Sequence, residues 1–129
     1  MKSKNSTKKH QSFTTKLGNQ LHYYTKGSGV AVMLIHGFLG DASTWNSPRR
    51  GGSNIFNQLA ENYSVIAVDN LGHGKSDKPH DSKHYGYRMV QDLIDLLDHL
   101  HIEKAHIIGY SMGSFSATAW AVLLQPILF

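Results

Sequence analysis

Apolar residues fall in two rhythms along this 129-residue chain. Residues 30–35, 63–68 and 105–109 form short, nearly unbroken apolar runs of strand length, a pattern that suits strands buried on both faces. Between them the spacing turns helical. Ile55, Phe56, Leu59 and Ala60 share one face of a short helix reaching about residue 61, with Ser53-Asn54 placed to cap it. Met89, Val90, Leu93, Ile94, Leu97 and Leu100 form one stripe of a longer helix over 87–100, and Asp92, Asp95 and Asp98 fall off that stripe. Ahead of the first run, residues 13–16 and 21–25 read as two short strands around the hairpin signal Gly18-Asn19, and Gly27-Ser28-Gly29 marks a second turn. Residue 112 to about 124 reads as a last helix, apolar on nearly every face.

Strands alternating with helices predict an α/β fold with a largely parallel sheet, and the first two strands would be its antiparallel edge. The length allows one domain with a modest core. Residues 1–12 are expected to be a disordered basic segment and 13–129 the folded domain. The net charge is +4, and much of the excess sits on Lys2, Lys4, Lys8 and Lys9, with no acid before Asp41. No aromatic residue interleaves with those lysines, so a solvated terminus is favoured over a nucleic-acid arm. There is no cysteine, which excludes disulfides and thiolate metal sites. The N-terminal stretch has no apolar core of a signal peptide, so a cytoplasmic protein is expected. The apolar stretch over 117–129 is broken by Gln125 and Pro126, and no membrane association is expected.

The candidate chemistry lies at the ends of the three apolar runs. They are followed by His36-Gly37-Phe38, by Asp69-Asn70-Leu71-Gly72-His73-Gly74-Lys75-Ser76-Asp77, and by Gly109-Tyr110-Ser111-Met112-Gly113. Strand, Gly-x-Ser-x-Gly, helix is the context of a nucleophile elbow, in which a sharp turn exposes the serine oxygen. The other candidates have plainer readings. Asp69 and Asp77 suit turns, and His73 suits a loop-shaping role with local hydrogen bonds. His80 and His84 have a metal-like spacing without a further ligand cluster, so no metal is expected. His99 and His101 suit a helix end.

In this order and on three consecutive strand ends, these motifs resemble the N-terminal half of the α/β-hydrolase superfamily, over about residues 13–116. The resemblance implies a mostly parallel sheet flanked by helices, truncated after the nucleophile-elbow helix. It implies Ser111 as nucleophile, Gly109 and Gly113 as the elbow glycines, and the N–H groups of Phe38 and Met112 as the oxyanion hole. Losing one such donor typically costs about 3 kcal/mol. His36 would be structural. The triad acid and histidine would follow the serine, but residues 112–129 hold no Asp, Glu or His. The implied function is a serine hydrolase of carboxylic esters, thioesters or lactones, with a small-molecule substrate, no cofactor and little activity in this chain alone. The alternatives are a lyase of the menaquinone-biosynthesis type, a C–C bond hydrolase, or a non-catalytic truncated product that docks a complementary C-terminal half. Ser114 stands where the family usually has a second glycine, and the resemblance fades beyond it, so a broken or truncated frame near Ser116 is expected. The elbow strand should then be an exposed apolar edge that favours aggregation.

Overall fold

The computed structural model describes residues 7–46, 54–111 and 113. Within them the chain forms β1 (Lys9–Thr14), β2 (Gln20–Lys26), β3 (Ala31–Ile35), α1 (Ile55–Ala60), β4 (Ser64–Val68), α2 (Tyr87–His99) and β5 (Ala105–Gly109), with short 3-10 turns at Ala42–Asn46 and Ser82–His84. The strands make one sheet in the order β1-β2-β4-β3-β5. β3 pairs in parallel with β4 and with β5, whereas β2 runs antiparallel to both β1 and β4. The expected parallel sheet with an antiparallel edge is therefore present.

β3 explains why its sequence is apolar without alternation: all five of its residues are buried. Ala31, Met33 and Ile35 face one cluster, shared with Ile66 and Val68 of β4 and with Val90, Leu93, Leu96 and Leu97 of α2. Val32 and Leu34 face the other, shared with Val65, Ala67, Trp45, Phe56 and Ala60. The period-2 geometry of a strand divides one apolar run between two cores. Burying each large side chain contributes roughly 1.5–3 kcal/mol.

Several boundaries differ from the sequence reading. The first strand begins at Lys9, inside the segment expected to be disordered, because β2 offers it a full ladder from Lys9↔Thr25 to Thr14↔Gln20. Residues 1–6 lie outside the described residues, as do 47–53 and the expected last helix apart from Gly113. Asn54 sits at the N-cap of α1 in a left-handed conformation (φ 51°) and makes no side-chain cap hydrogen bond. β5 is not buried on both faces. Its residues alternate half-buried and exposed: Ile107 packs against the cluster shared with α2, whereas Ile108 is 41% accessible and joins neither cluster among the described residues. Among the described residues no helix is long and apolar enough to cross a membrane.

The largest departure is on α2. Asp92 belongs to the buried arc, only 1% exposed, alongside Leu96, which lies outside the expected stripe and is fully buried. Arg88, one turn earlier, makes this tolerable: its Nε donates to Asp92 Oδ1 at 3.0 Å and its Nη2 to Asp95 Oδ2 at 3.2 Å. Asp92 Oδ2 is buried without a hydrogen-bond partner. Burial pushes the Asp92 carboxyl above the usual carboxylate range, and Arg88 only partly opposes it.

A carboxyl raised in the folded state contributes stability that is complete below its unfolded value of 3.8 and is lost as pH rises through the folded value. Asp92→Asn keeps an acceptor for Arg88 without a buried charge. In urea denaturation at pH 7 it is expected to be at least as stable as the parent, with that advantage shrinking toward pH 4. A loss of more than about 1 kcal/mol at pH 7 would instead show that leaving the Arg88 charge without this partner costs more than burying the Asp92 carboxylate.

Candidate active site

The parallel register lines up the ends of the three parallel strands β4, β3 and β5. Ile35 stands opposite Val68 on one side and Gly109 on the other, so the segments starting at His36, Asp69 and Tyr110 emerge side by side at one edge of the sheet. The ladder continues one step further, because Tyr110 N–H donates to Ile35 O at 3.0 Å.

Ser111 follows directly, and its backbone turns left-handed with φ 55°. A non-glycine residue there carries strain of roughly 1–3 kcal/mol and persists only where the surroundings enforce it. Two glycines do so. A Cβ on Gly113 would overlap the carbonyl group of Ile35, and Gly113 N–H donates to Tyr110 O at 2.9 Å, closing the turn. A Cβ on Gly37 would stand 3.1 Å from the Tyr110 ring and 3.2 Å from Ser111 Cβ. The chain after β3 therefore lies directly against the serine. Ser111 itself is exposed, whereas Gly113 is buried. Gly109 closes β5 opposite Ile35.

Phe38 follows Gly37 in a tight turn, in which Gly40 N–H donates to Gly37 O at 3.1 Å and Leu39 takes a φ of 67°. The Phe38 ring meets the edge of His73 at 5.8 Å. Phe38, Leu39 and Tyr110 are 68%, 80% and 62% exposed, so the two segments that meet at Gly37 and Ser111 both present apolar side chains to solvent. Met112 and Ser114 lie outside the described residues.

His36 is fully buried and its two ring nitrogens are committed. Asn70 N–H donates to Nε2 at 2.9 Å, so Nε2 carries the lone pair, and Nδ1–H donates to Gly37 O at 2.7 Å. Asn70 Nδ2 returns a bond to His36 O at 3.1 Å. Only a neutral imidazole in a single tautomer fits this arrangement. Burial, reinforced by the nearby His73, holds its pKa below the usual value, with the bond to Gly37 opposing. His36 thus ties the ends of β3 and β4 together, the structural role anticipated for it.

Asp69 serves a similar purpose. It is buried, and its carboxylate accepts from Ala42 N–H (2.7 Å) and Lys75 N–H (3.0 Å), pinning two loops to the end of β4. Gly74 has to be glycine, since a Cβ there would overlap that carboxylate. Asp77 Oδ2 accepts from Gln20 N–H at 2.7 Å, and His73 Nδ1 meets Leu71 O at 3.2 Å. His84 Nδ1 is bonded to Asn19 Nδ2 at 2.8 Å. Among the described residues no three His, Asp or Glu side chains gather as a metal site. The sequence reading missed Asn70 and Ser76. Ser76 Oγ donates to Asp69 O at 2.6 Å and accepts from His22 N–H at 2.7 Å. Asn70 sits inside the Asp-x-x-Gly-x-Gly stretch and Ser76 two residues after it, where the loop itself was the visible signal.

Residues 30–126 match the family model of the alpha/beta hydrolase fold. The chain belongs to this family. It is 40% identical, over 80% of its length and 35% of the relative's, to a 2-hydroxy-6-oxononadienedioate/2-hydroxy-6-oxononatrienedioate hydrolase of Paraburkholderia xenovorans. It is 34% identical, over 71% of its length and 31% of the other's, to a Bacillus subtilis protein provisionally named a 2-succinyl-6-hydroxy-2,4-cyclohexadiene-1-carboxylate synthase. In structure it matches an epoxide hydrolase from an endophytic Streptomyces with a TM-score of 0.77 and 28% identity, over 92% of this chain and 34% of that one. The chain thus spans about a third of the length of the curated relatives it matches.

Two measurements probe this frame. His36, lowered in the folded state, contributes stability that is complete above its unfolded value of 6.5 and is lost as pH falls through the folded value. The urea midpoint is expected to fall from pH 7 to pH 5, with a shallower fall in His36→Gln; an unchanged slope in that variant would place the pH dependence on other groups. Gly113→Ala drives a methyl group into the β3 backbone and is expected to cost about 1–3 kcal/mol or more in the same assay. A parent-like midpoint would show that the turn relaxes freely.

Proposed function

We propose that Ser111 is the nucleophile of a serine hydrolase acting on a carboxylic ester, thioester or lactone of a small molecule. The observation that carries this reading is the enforced left-handed turn at Ser111, exposed at the end of β5 and braced by Gly37 and Gly113. Such a turn places Oγ where a carbonyl carbon can approach, and the exposed Phe38, Leu39 and Tyr110 side chains offer an apolar approach to it. The N–H groups of Phe38 and Met112 would receive the oxyanion. In the proposed reaction Ser111 Oγ attacks the carbonyl, a histidine takes its proton, and an acid orients that histidine.

His36 does not suit the role of base, because both of its ring nitrogens are bonded to the backbone. Residues 112–129 contain no Asp, Glu or His. We therefore expect the 129-residue chain to turn over little by itself and to need a complementary segment bearing the acid and the base. The likeness to the Bacillus subtilis protein favours a second reading, in which the same serine serves an elimination rather than a hydrolysis.

The test is a chimera in which residues 1–113 replace the matching part of the Paraburkholderia relative. With a p-nitrophenyl ester, Ser111→Ala is expected to lower the kcat/KM of the chimera by about 1,000-fold or more. The 129-residue chain should show a near-background rate that the same substitution leaves unchanged. A chimera indifferent to Ser111→Ala would remove the nucleophile assignment. Burst kinetics in the 129-residue chain, abolished by Ser111→Ala, would remove the expected dependence on a further segment.

A further inference from the structure

The β1–β2 hairpin presents a pair of histidines that the proposed hydrolase does not use. In its register His10 stands opposite Tyr24 and Ser12 opposite His22, so these residues share the face opposite to that of Phe13, Leu21 and Tyr23, and His10 lies diagonal to His22. Neither α1 nor α2 covers His10, which is exposed. Nε2 of His10 and Nδ1 of His22 approach to 2.6 Å, with ring centroids 4.7 Å apart. One proton lies between the two nitrogens, and both offer a lone pair once that proton moves to the far nitrogen of its own ring or, from a singly charged pair, leaves to solvent.

We propose that His10 and His22 form a two-imidazole site for a divalent transition-metal ion of tetragonal preference, Cu(II) above Zn(II). The ion takes the place of the shared proton. Two imidazole nitrogens bound at about 2.0 Å stand about 2.8 Å apart at a right angle and about 3.3 Å apart in a tetrahedron. The 2.6 Å hydrogen-bonded contact has to open to either spacing, so the order Cu(II) above Zn(II) rests on the intrinsic affinity series of the divalent ions. The His10 ring is free to turn toward a common point, while its stacking on Tyr24 at 5.0 Å restricts the search. His22 is held by its backbone, donating to Ser76 Oγ at 2.7 Å and accepting from Asp69 N–H at 2.9 Å. The ammonium group of Lys8, 4.9 Å from the centroid of the Tyr24 ring, repels every cation alike, so binding must come from the two imidazole nitrogens rather than from charge. Water would complete the coordination.

The test is titration of the 129-residue chain with CuCl2, followed by electron paramagnetic resonance, with zinc chloride in parallel. One equivalent of Cu(II) is expected to bind with nitrogen hyperfine structure, at least tenfold more tightly than Zn(II). His10→Gln and His22→Gln should each weaken Cu(II) binding at least tenfold, and His80→Gln should leave it unchanged. His10 is exposed, so its variant tests the site even if His22→Gln disturbs the sheet; circular dichroism confirms the fold of each. Cu(II) binding that both variants retain would assign the metal to the terminal amine or to other histidines and overturn the proposal. Zn(II) binding as tight as Cu(II) would overturn the proposed order of metals.

Discussion

Two close backbone approaches at the end of β3 govern the arrangement around Ser111. Gly113 presses on the carbonyl of Ile35, and Gly37 presses on Tyr110 and Ser111. Neither contact leaves room for a side chain, and together they give the segment after β5 little choice of path. The left-handed φ of Ser111 follows from that confinement. Strain of this kind survives only where neighbouring structure over-determines it. Here the neighbour is a strand buried on both faces, the part of the molecule least able to yield.

Polar groups extend the same rigidity outward. Loops normally tolerate movement because few buried contacts hold them. The loops after β3 and β4 are held by His36, Asn70, Asp69 and Ser76, all buried and all hydrogen-bonded to backbone groups of another segment. A buried polar group left without a partner costs about 1–3 kcal/mol, so each of these bonds resists exchange for a different loop path. The histidine and aspartate at the strand ends look like catalytic residues by type. Their hydrogen bonds make them fasteners that keep the Gly37–Phe38 turn against the serine.

The parts of this fold legible in the sequence are those whose cause is local or periodic. The continuous apolar run of β3 announces burial on both faces, and the glycines around Ser111 announce a turn that only a crowded backbone requires. What escaped the sequence depends on partners distant along the chain. Asp92 looks like a solvent-facing acid until Arg88 is seen folding back on it within the packed arc of α2. Lys9 to Ser12 read as a solvated tail until β2 supplies a ladder for them. β5 reads as a core strand because its composition is apolar, yet its burial depends on what lies on either side of it. Composition gives the tendency of a segment, and neighbours decide how much of that tendency is realised.

This division also separates the frame from its chemistry. The contacts that shape the elbow are made by backbone atoms and by the absence of Cβ atoms at positions 37 and 113. They would hold any short side chain at position 111 in the same place. A frame defined in this way can carry different reactions, in keeping with relatives and structural neighbours whose names span hydrolases of dienedioates, a synthase and epoxide hydrolases. The chemistry must then be argued from the group presented and from what can reach it. In this chain that group is a hydroxyl, exposed at the end of the sheet near exposed apolar side chains, with the His36 imidazole at the end of β3 held in its neutral form by the backbone. The proposed division of labour follows directly: these residues supply placement, and the proton acceptor must come from a different part of the active enzyme.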